Sequence, residues 1–351
     1  MIQIEHIYHF LFDNLFKDFR VCHLPGGVPE VDKELSLLDI CVYEKEREPR
    51  HTVFFYDQEP LLPSIVDRYL NIKEIKIFDP LLITSEKSDF HTDLYYFFHG
   101  FAALDWFRGY HALNHNKQVV KDYKKDYITF NRTITGDRAY RKTFIELLRD
   151  KGLLDKGLVS YGVVDEHSDG ERLVIDGDHI PASASAGIPT TLERVDYLGD
   201  TPDYDAFWHV VTETIFDYRK LHLTEKIFKP IVSKQPFMLL AAPGNLQYLR
   251  SYGFRTFENI IDESYDGMAK GRDRIDAVVS QLEWYCSLSA DEKTEIQKKC
   301  EPIVEYNFQH FYGKFREIIT DELLDNSKKL FSDIGYDDSG IDYQTIRNLL
   351  I

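Results

Sequence analysis

Short apolar strands that alternate with helical segments are the feature that most constrains the fold of this chain. Ala206–Thr214 reads AFWHVVTET, which has the composition of a strand. The helical pattern LTEKIFKPIVSK follows at 223–234, and then the apolar strand PFMLLAA at 236–242. The strand YITFN at 127–131, with a helix after it, repeats the alternation. The sequence therefore predicts an α/β fold.

The remaining elements are predicted from the same patterns. Strands are expected over Thr52–Tyr56 and, singly or as a pair, over Ile75–Thr84, and an aromatic-rich helical stretch over 93–111, interrupted at Gly100. From about Arg272 the chain is expected to be mainly helical.

Four residues are predicted to mark the ends of helices. Asp137 and Asn245 are expected to cap helix starts, and Gly152 and Gly253 to end helices.

The length of 351 residues favours two domains. The charged segment Asn116–Asp126 is the best candidate for a linker between them. We therefore expect an N-terminal domain at 1–120, a second domain at 121–305 and a C-terminal helical segment at 306–351.

Charge and cysteine content restrict the class of protein. The formal net charge of -17 argues against a general nucleic-acid binder, but it does not exclude a local basic groove, for example at KDYKK, residues 121–125. The four cysteines form no CxxC pair, which is typical of reduced thiols in a cytoplasm. The first residues lack a basic region, and no apolar run reaches the length of a membrane span. We expect a cytoplasmic protein.

Two lysines lie where the helix after Leu223 begins. Thr224 is the expected N-cap, so Glu225 is the first helical residue, and Lys226 and Lys229 follow. A helix start carries partial positive charge and favours acidic residues, so cations there indicate a bound anion such as phosphate. The alternative is a surface helix with a Glu225–Lys229 ion pair.

Arginines surround the turn after the strand that ends at Asn131. Arg132, Arg138 and Arg141 flank it, and the last two share a helix face. Arginine forks suit phosphate oxygens, although solvated arginines at a helix start are an equal alternative. Two cationic helix starts together favour a shared diphosphate.

Three carboxylates follow predicted strands. Asp57 and Glu59 come after the strand at Thr52–Tyr56, where α/β sheets place ligands, and either could act as a general base. The alternative is an Asx turn with a surface glutamate. Glu213 could hydrogen-bond sugar or ribose hydroxyls, or cap the next turn.

The metal-binding patterns are weak. Asp176–Asp178 and Asp203–Asp205 are DxD triplets, which an acidic chain produces by chance. His111 and His115 are four residues apart but lack the HExxH context. We expect no metal requirement.

The residues of 213–266 resemble a known family. The run TEK…KP…QPF…PG…L…GF…TF…DESYD is similar to the C-terminal half of glycosyltransferases of bacteriophage and viral genomes, and more distantly to the donor-site segment of α1,3-fucosyltransferases. YDQEP, HGFAALDWFRGY and FNRTITGDRAYRK fit the same phage-type proteins. The resemblance implies a GT-B fold, in which two Rossmann-like domains face each other across a cleft.

The resemblance also implies roles for these residues. A nucleotide-sugar such as a UDP- or GDP-sugar would bind the second domain, its diphosphate neutralised by Arg132, Arg138, Lys226 and Lys229. Glu213 and Glu225 would contact ribose or the donor sugar, and no metal cofactor would be required. The base would come from the first domain, with His99 as a third candidate beside Asp57 and Glu59. The donor-binding candidates are Asn131, Arg132, Arg138, Arg141, Glu213, Thr224, Glu225, Lys226 and Lys229.

Three functions stay open at this point. The first is transfer of a sugar to 5-hydroxymethylcytosine in phage DNA, in the cytoplasm of the host. The second is a fucosyltransferase-like enzyme acting on a cell-surface glycan. The third is a non-catalytic module that binds nucleotide-sugar or glycan.

Overall fold

The computed structural model describes two compact units, 1–101 with 317–351, and 102–316. Within them it describes residues 20–23, 52–56, 81–84, 95–96, 100, 103–104, 107, 110–131, 134, 136–161, 206–217 and 220–351.

The first unit contains a parallel sheet of four described strands in chain order. They are β1 (Arg20–His23), β2 (Thr52–Tyr56), β3 (Leu81–Thr84) and β4 (Tyr95–Tyr96). The strand predicted at Thr52–Tyr56 is confirmed, and Leu81–Thr84 confirms the end of the one predicted over Ile75–Thr84.

The helical prediction for 93–111 is wrong at its start, because Tyr95–Tyr96 pairs with Ile83–Thr84 as a strand. Aromatic side chains favour the pleated surface of a strand over a helix. The described residues Gly100, Ala103 and Leu104 are helical, so the predicted interruption at Gly100 is wrong, and α1 (Tyr110–Asn114) follows in the second unit.

The second unit is built on a parallel sheet with the strand order β6-β5-β7-β8. The strands are β5 (Lys125–Asn131), β6 (Gly157–Tyr161), β7 (Ala206–Thr212) and β8 (Phe237–Leu240). Every residue of β7 and β8 is buried, as expected for strands covered on both faces. The predicted α/β class is confirmed.

Helices accompany this sheet in the expected alternation. They are α2 (Tyr140–Asp150), α3 (Glu225–Val232), α4 (Asn245–Ser251), α5 (Gly271–Ser287) and α6 (Ala290–Tyr312). The chain then continues into α7 (Lys314–Asp333) and α8 (Tyr343–Leu350), so the prediction of a helical C-terminal part is confirmed. None of the described helices is both long enough and apolar enough to cross a membrane.

Two predicted helix caps are wrong. The chain enters α2 through a 3-10 turn at Gly136–Arg138, so Ala139 rather than Asp137 precedes the helix. Gly244, with φ of 88°, precedes α4, and the Asn245 side chain bonds to Lys220 and Ala242 carbonyls instead. The turn before α4 depends on contacts with the distant residues Lys220 and Asp266, which local patterns do not contain.

The order of the strands reverses beside β5. The chain places β6 on one side of β5 and then crosses to place β7 on the other. In open α/β sheets ligands bind at such a reversal, in the crevice outside the carboxyl ends of the strands. The fold therefore directs attention to the ends of β5 and β7, at Asn131 and Thr212.

Candidate functional site

The ends of β5 and β7 are joined by side chains. The Thr212 hydroxyl donates to Oδ1 of Asn131 at 3.0 Å, and Nδ2 of Asn131 donates to Oγ1 of Thr129 at 3.2 Å. All three residues are buried. Asn131 therefore fixes the spacing of the two strands at the reversal of strand order.

Thr224 and Glu213 form the entry to α3. Thr224 has extended backbone angles, and its hydroxyl oxygen accepts from the Lys226 amide, so the predicted N-cap is confirmed. The Glu213 carboxylate accepts from the Thr224 amide at 3.1 Å and from its hydroxyl at 2.7 Å. A third hydrogen bond to the carboxylate comes from the Thr214 amide, at 3.3 Å. Glu213 therefore orients the start of α3, which matches its alternative interpretation as the cap of the next turn.

The pKa of Glu213 is raised above its usual value because the carboxyl is fully buried. The positive charge of Lys226 and the hydrogen bonds from Thr224 act in the opposite direction. Burial is the larger effect. The carboxyl thus holds a proton more strongly in the folded protein than in the unfolded chain.

Lys226 places an ammonium group among hydroxyls at the start of α3. Its Nζ lies 3.1 Å from Oγ1 of Thr224, 3.4 Å from Oγ1 of Thr214 and 3.1 Å from a carboxylate oxygen of Glu225. The Lys226 side chain is 35% exposed, so a solute can reach it. A reachable cation at a helix start is suited to binding an anion.

Lys229 extends from the next turn of α3 toward β5. Its Nζ lies 4.0 Å from the ring centre of Phe130, the residue before Asn131, and the residue is only 7% exposed. The structure therefore brings a cation of α3 to the end of β5. The ion pair observed for Glu225 is with Lys226, at 3.1 Å, whereas the pair considered from the sequence is with Lys229.

The two arginines near α2 differ in environment. Arg138 lies in the 3-10 turn and is partly exposed. Arg141 is 3% exposed, and its guanidinium donates to the carbonyls of Thr212 at 2.8 Å and Glu213 at 3.2 Å. Arg141 thus ties α2 to the end of β7, whereas Arg138 lies partly at the surface.

A stack of three side chains behind the site was missed by sequence reasoning. The Tyr140 ring stacks on Phe216 at 3.9 Å, and its hydroxyl donates to the Glu213 carbonyl at 2.6 Å. The Arg274 guanidinium lies 4.3 Å from the Phe216 ring centre and donates to the carbonyls of Phe216, Met268 and Ala269. The segment after β7 is therefore held from both α2 and α5. Local spacing gives no signal for this, since Arg274 is 58 residues from Phe216.

The DESYD motif has a structural role in the second unit. Asp266 accepts from the first amides of α4, those of Leu246 and Gln247. Glu263 accepts from the Phe257 amide and from Arg250. These carboxylates hold the turns that follow β8, which explains why the motif contains acidic residues.

Several predicted residues lie outside the described part of the chain. These are Asp57, Glu59, His99, Arg132 and the two DxD triplets, Asp176–Asp178 and Asp203–Asp205. Among the residues that the structure does describe, no group of three His, Cys, Asp or Glu side chains is arranged to hold a metal ion. His111 packs its ring against Phe308 and Tyr312.

Comparison with known proteins adds no assignment. No protein-family model matches the chain, and no curated protein or solved structure is significantly similar to it.

Proposed function

We propose that this chain is a glycosyltransferase that takes a sugar from a nucleoside diphosphate and transfers it to a hydroxyl group. The diphosphate binds at the carboxyl ends of β5 and β7, against the start of α3. Lys226 and Arg138 neutralise it, together with Lys229 of α3 and with Arg132, which follows β5 in the chain. These groups are cationic and need no metal ion to hold phosphate.

One observation carries the proposal. The Lys226 ammonium is reachable and lies at a helix start beside the hydroxyls of Thr214 and Thr224. This helix start follows β7, which lies beside β5 at the reversal of strand order. Positive charge and the helix dipole converge where an α/β sheet binds nucleotides.

The geometry refines the proposed roles of two residues. Both carboxylate oxygens of Glu213 accept hydrogen bonds from its protein neighbours, and Asn131 is bonded to Thr129 and Thr212. We assign both to positioning of the site. Glu225, at 18% side-chain exposure, is the remaining candidate for contact with ribose or the donor sugar.

The chemical step follows from these roles. The bond between the anomeric carbon and the diphosphate oxygen breaks, and its electron pair leaves with the diphosphate. Lys226 and Arg138 stabilise the charge that develops on the leaving group. The acceptor oxygen forms the new bond, and a carboxylate takes its proton.

The first unit supplies that carboxylate in the GT-B arrangement that we propose. Two separate parallel sheets are consistent with the two Rossmann-like domains of such an enzyme. Asp57 directly follows β2 in the chain, and Glu59 is two residues further on. His99 is the third candidate base.

Donor binding is tested by calorimetric titration of the protein with UDP and GDP. Lys226→Ala is expected to weaken binding about tenfold or more, because a charge-assisted phosphate contact is lost. Lys298→Ala is the control, since Lys298 is an exposed lysine of α6. Equal affinities for the wild type and both variants would contradict the proposed site.

Turnover is tested by the release of free sugar from UDP- and GDP-sugars, and by transfer to two acceptors. One acceptor is DNA containing 5-hydroxymethylcytosine, and the other is an oligosaccharide; the preferred one separates the phage DNA function from the glycan function. Asp57→Ala or Glu59→Ala is expected to abolish turnover while nucleotide binding persists. Normal turnover in both variants would exclude these carboxylates as the base. Nucleotide binding with no turnover on any donor would instead indicate a binding module.

A further inference from the structure

A lysine-rich groove lies at the amino ends of β5 and β6 in the second sheet. It has a volume of about 600 Å³ and is formed by the segment before β5, the turn before β6 and the first turns of α6. Five lysines line it: Lys121, Lys124, Lys125, Lys156 and Lys293. We call it the lysine groove.

The groove is separate from the candidate donor site. It adjoins Lys125, the first residue of β5, whereas the donor site adjoins Asn131, the last. A strand of this length spans roughly 20 Å. One small ligand therefore cannot occupy both places.

The local charge of the groove opposes the charge of the whole chain. Five lysines and three aspartates, Asp122, Asp126 and Asp155, line it, which leaves a formal charge of +2. The protein as a whole carries -17. Such a reversal of sign raises the local concentration of anions.

Contacts between distant segments hold the walls of the groove in place. Lys293 forms an ion pair with Asp126 at 2.6 Å, with side-chain exposures of 23% and 16%. The Lys125 ammonium donates to the Asp155 carbonyl at 2.9 Å, and the Lys121 amide donates to Oε1 of Gln297 at 3.2 Å. The groove is thus preorganised by contacts between α6, β5 and the turn before β6.

We propose that the lysine groove binds a small molecule that carries a diphosphate group. Lysine is a compact point charge that suits phosphate oxygens, and two or more negative charges match the formal excess of positive charge. The volume is that of a small-molecule site. This proposal does not depend on the glycosyltransferase assignment.

The test is protection of individual lysines from reductive methylation, read by mass spectrometry, with inorganic pyrophosphate as the probe. At a concentration about twice Kd, methylation of Lys124 and Lys156 is expected to slow about threefold, since only the unbound fraction reacts. Lys298 and Lys299, exposed on α6, are the internal controls. Protection of Lys226 is read in the same experiment and reports on the donor site alone, so the two proposals fail separately.

A double variant completes the test. In the double variant Lys124→Gln with Lys156→Gln, the pyrophosphate concentration needed to protect Lys121 is expected to rise about tenfold, because two charges leave the groove. The charge-matched Lys298→Gln with Lys299→Gln should leave it unchanged. Three results would overturn the proposal: no protection in the groove, an equal effect of both double variants, or protection by short oligothymidylate but not by pyrophosphate.

Discussion

The hydroxyl of Thr224 connects the fold of the site to its chemistry, and Thr224→Val isolates it. Valine has nearly the same shape and tolerates the extended backbone of this position, so the change removes the hydroxyl and little else. Three interactions of the hydroxyl are lost: the cap on the Lys226 amide, the hydrogen bond to the Glu213 carboxylate at 2.7 Å and the contact with Nζ of Lys226 at 3.1 Å.

The size of the effect on stability follows from the first two of these contacts. Loss of a helix cap costs about 1 kcal/mol. Loss of a hydrogen bond to a buried carboxylate costs about 1.5–3 kcal/mol. Both act at a residue that is 1% exposed, so water cannot replace the hydroxyl. We expect the free energy of unfolding to fall by about 3 kcal/mol.

Urea denaturation measures this change, with Thr224→Ser as the matched control. Serine keeps the hydroxyl and loses one methyl group, which costs about 0.8 kcal/mol. In nucleotide titrations of the folded proteins, Thr224→Val should bind more weakly than Thr224→Ser, because Lys226 loses its hydroxyl neighbour only in the valine variant. If the Thr224→Val protein is no less stable than the Thr224→Ser protein, the Thr224 hydroxyl does not stabilise the entry to α3 in the way described.

Three further predictions concern pH and packing. The raised pKa of Glu213 means that its contribution to stability is fully present below the usual value of 4.5 and is lost as pH rises through the folded-state pKa. In urea denaturation, the stability of Glu213→Gln relative to the wild type should therefore be higher at neutral than at acidic pH. A difference in stability that does not change with pH would contradict this. Arg274→Met leaves three carbonyls without their donor, of which that of Phe216 is buried, and should lower the free energy of unfolding by about 2 kcal/mol. Arg272→Met, at an exposed arginine on the same helix, should cost less than about 1 kcal/mol. Gly157→Ala would place a Cβ 2.3 Å from the buried Tyr127 ring and should cost about 1–3 kcal/mol by thermal denaturation, and a neutral result would mean that the ring can move aside.

The lysines at the start of α3 show how far local sequence could go. The N-cap, the first helical residue and the strands on either side follow from residues within a few positions of one another, and all were predictable. The contact of Lys229 with Phe130 was not, because it joins residues 99 positions apart whose proximity depends on the strand order.

The sequence by itself determined the α/β class, most strands of the second unit, the entry to α3 and the acidic character of the chain. Alternation of apolar strands with helices encodes these properties locally, through backbone propensity and side-chain burial. Only the tertiary structure decided that β7 lies beside β5, that Arg141 and Glu213 support the site from within, and that five lysines share one groove. Such outcomes depend on which segments meet across the sheet, and pairing between distant strands is a property of the whole packed core.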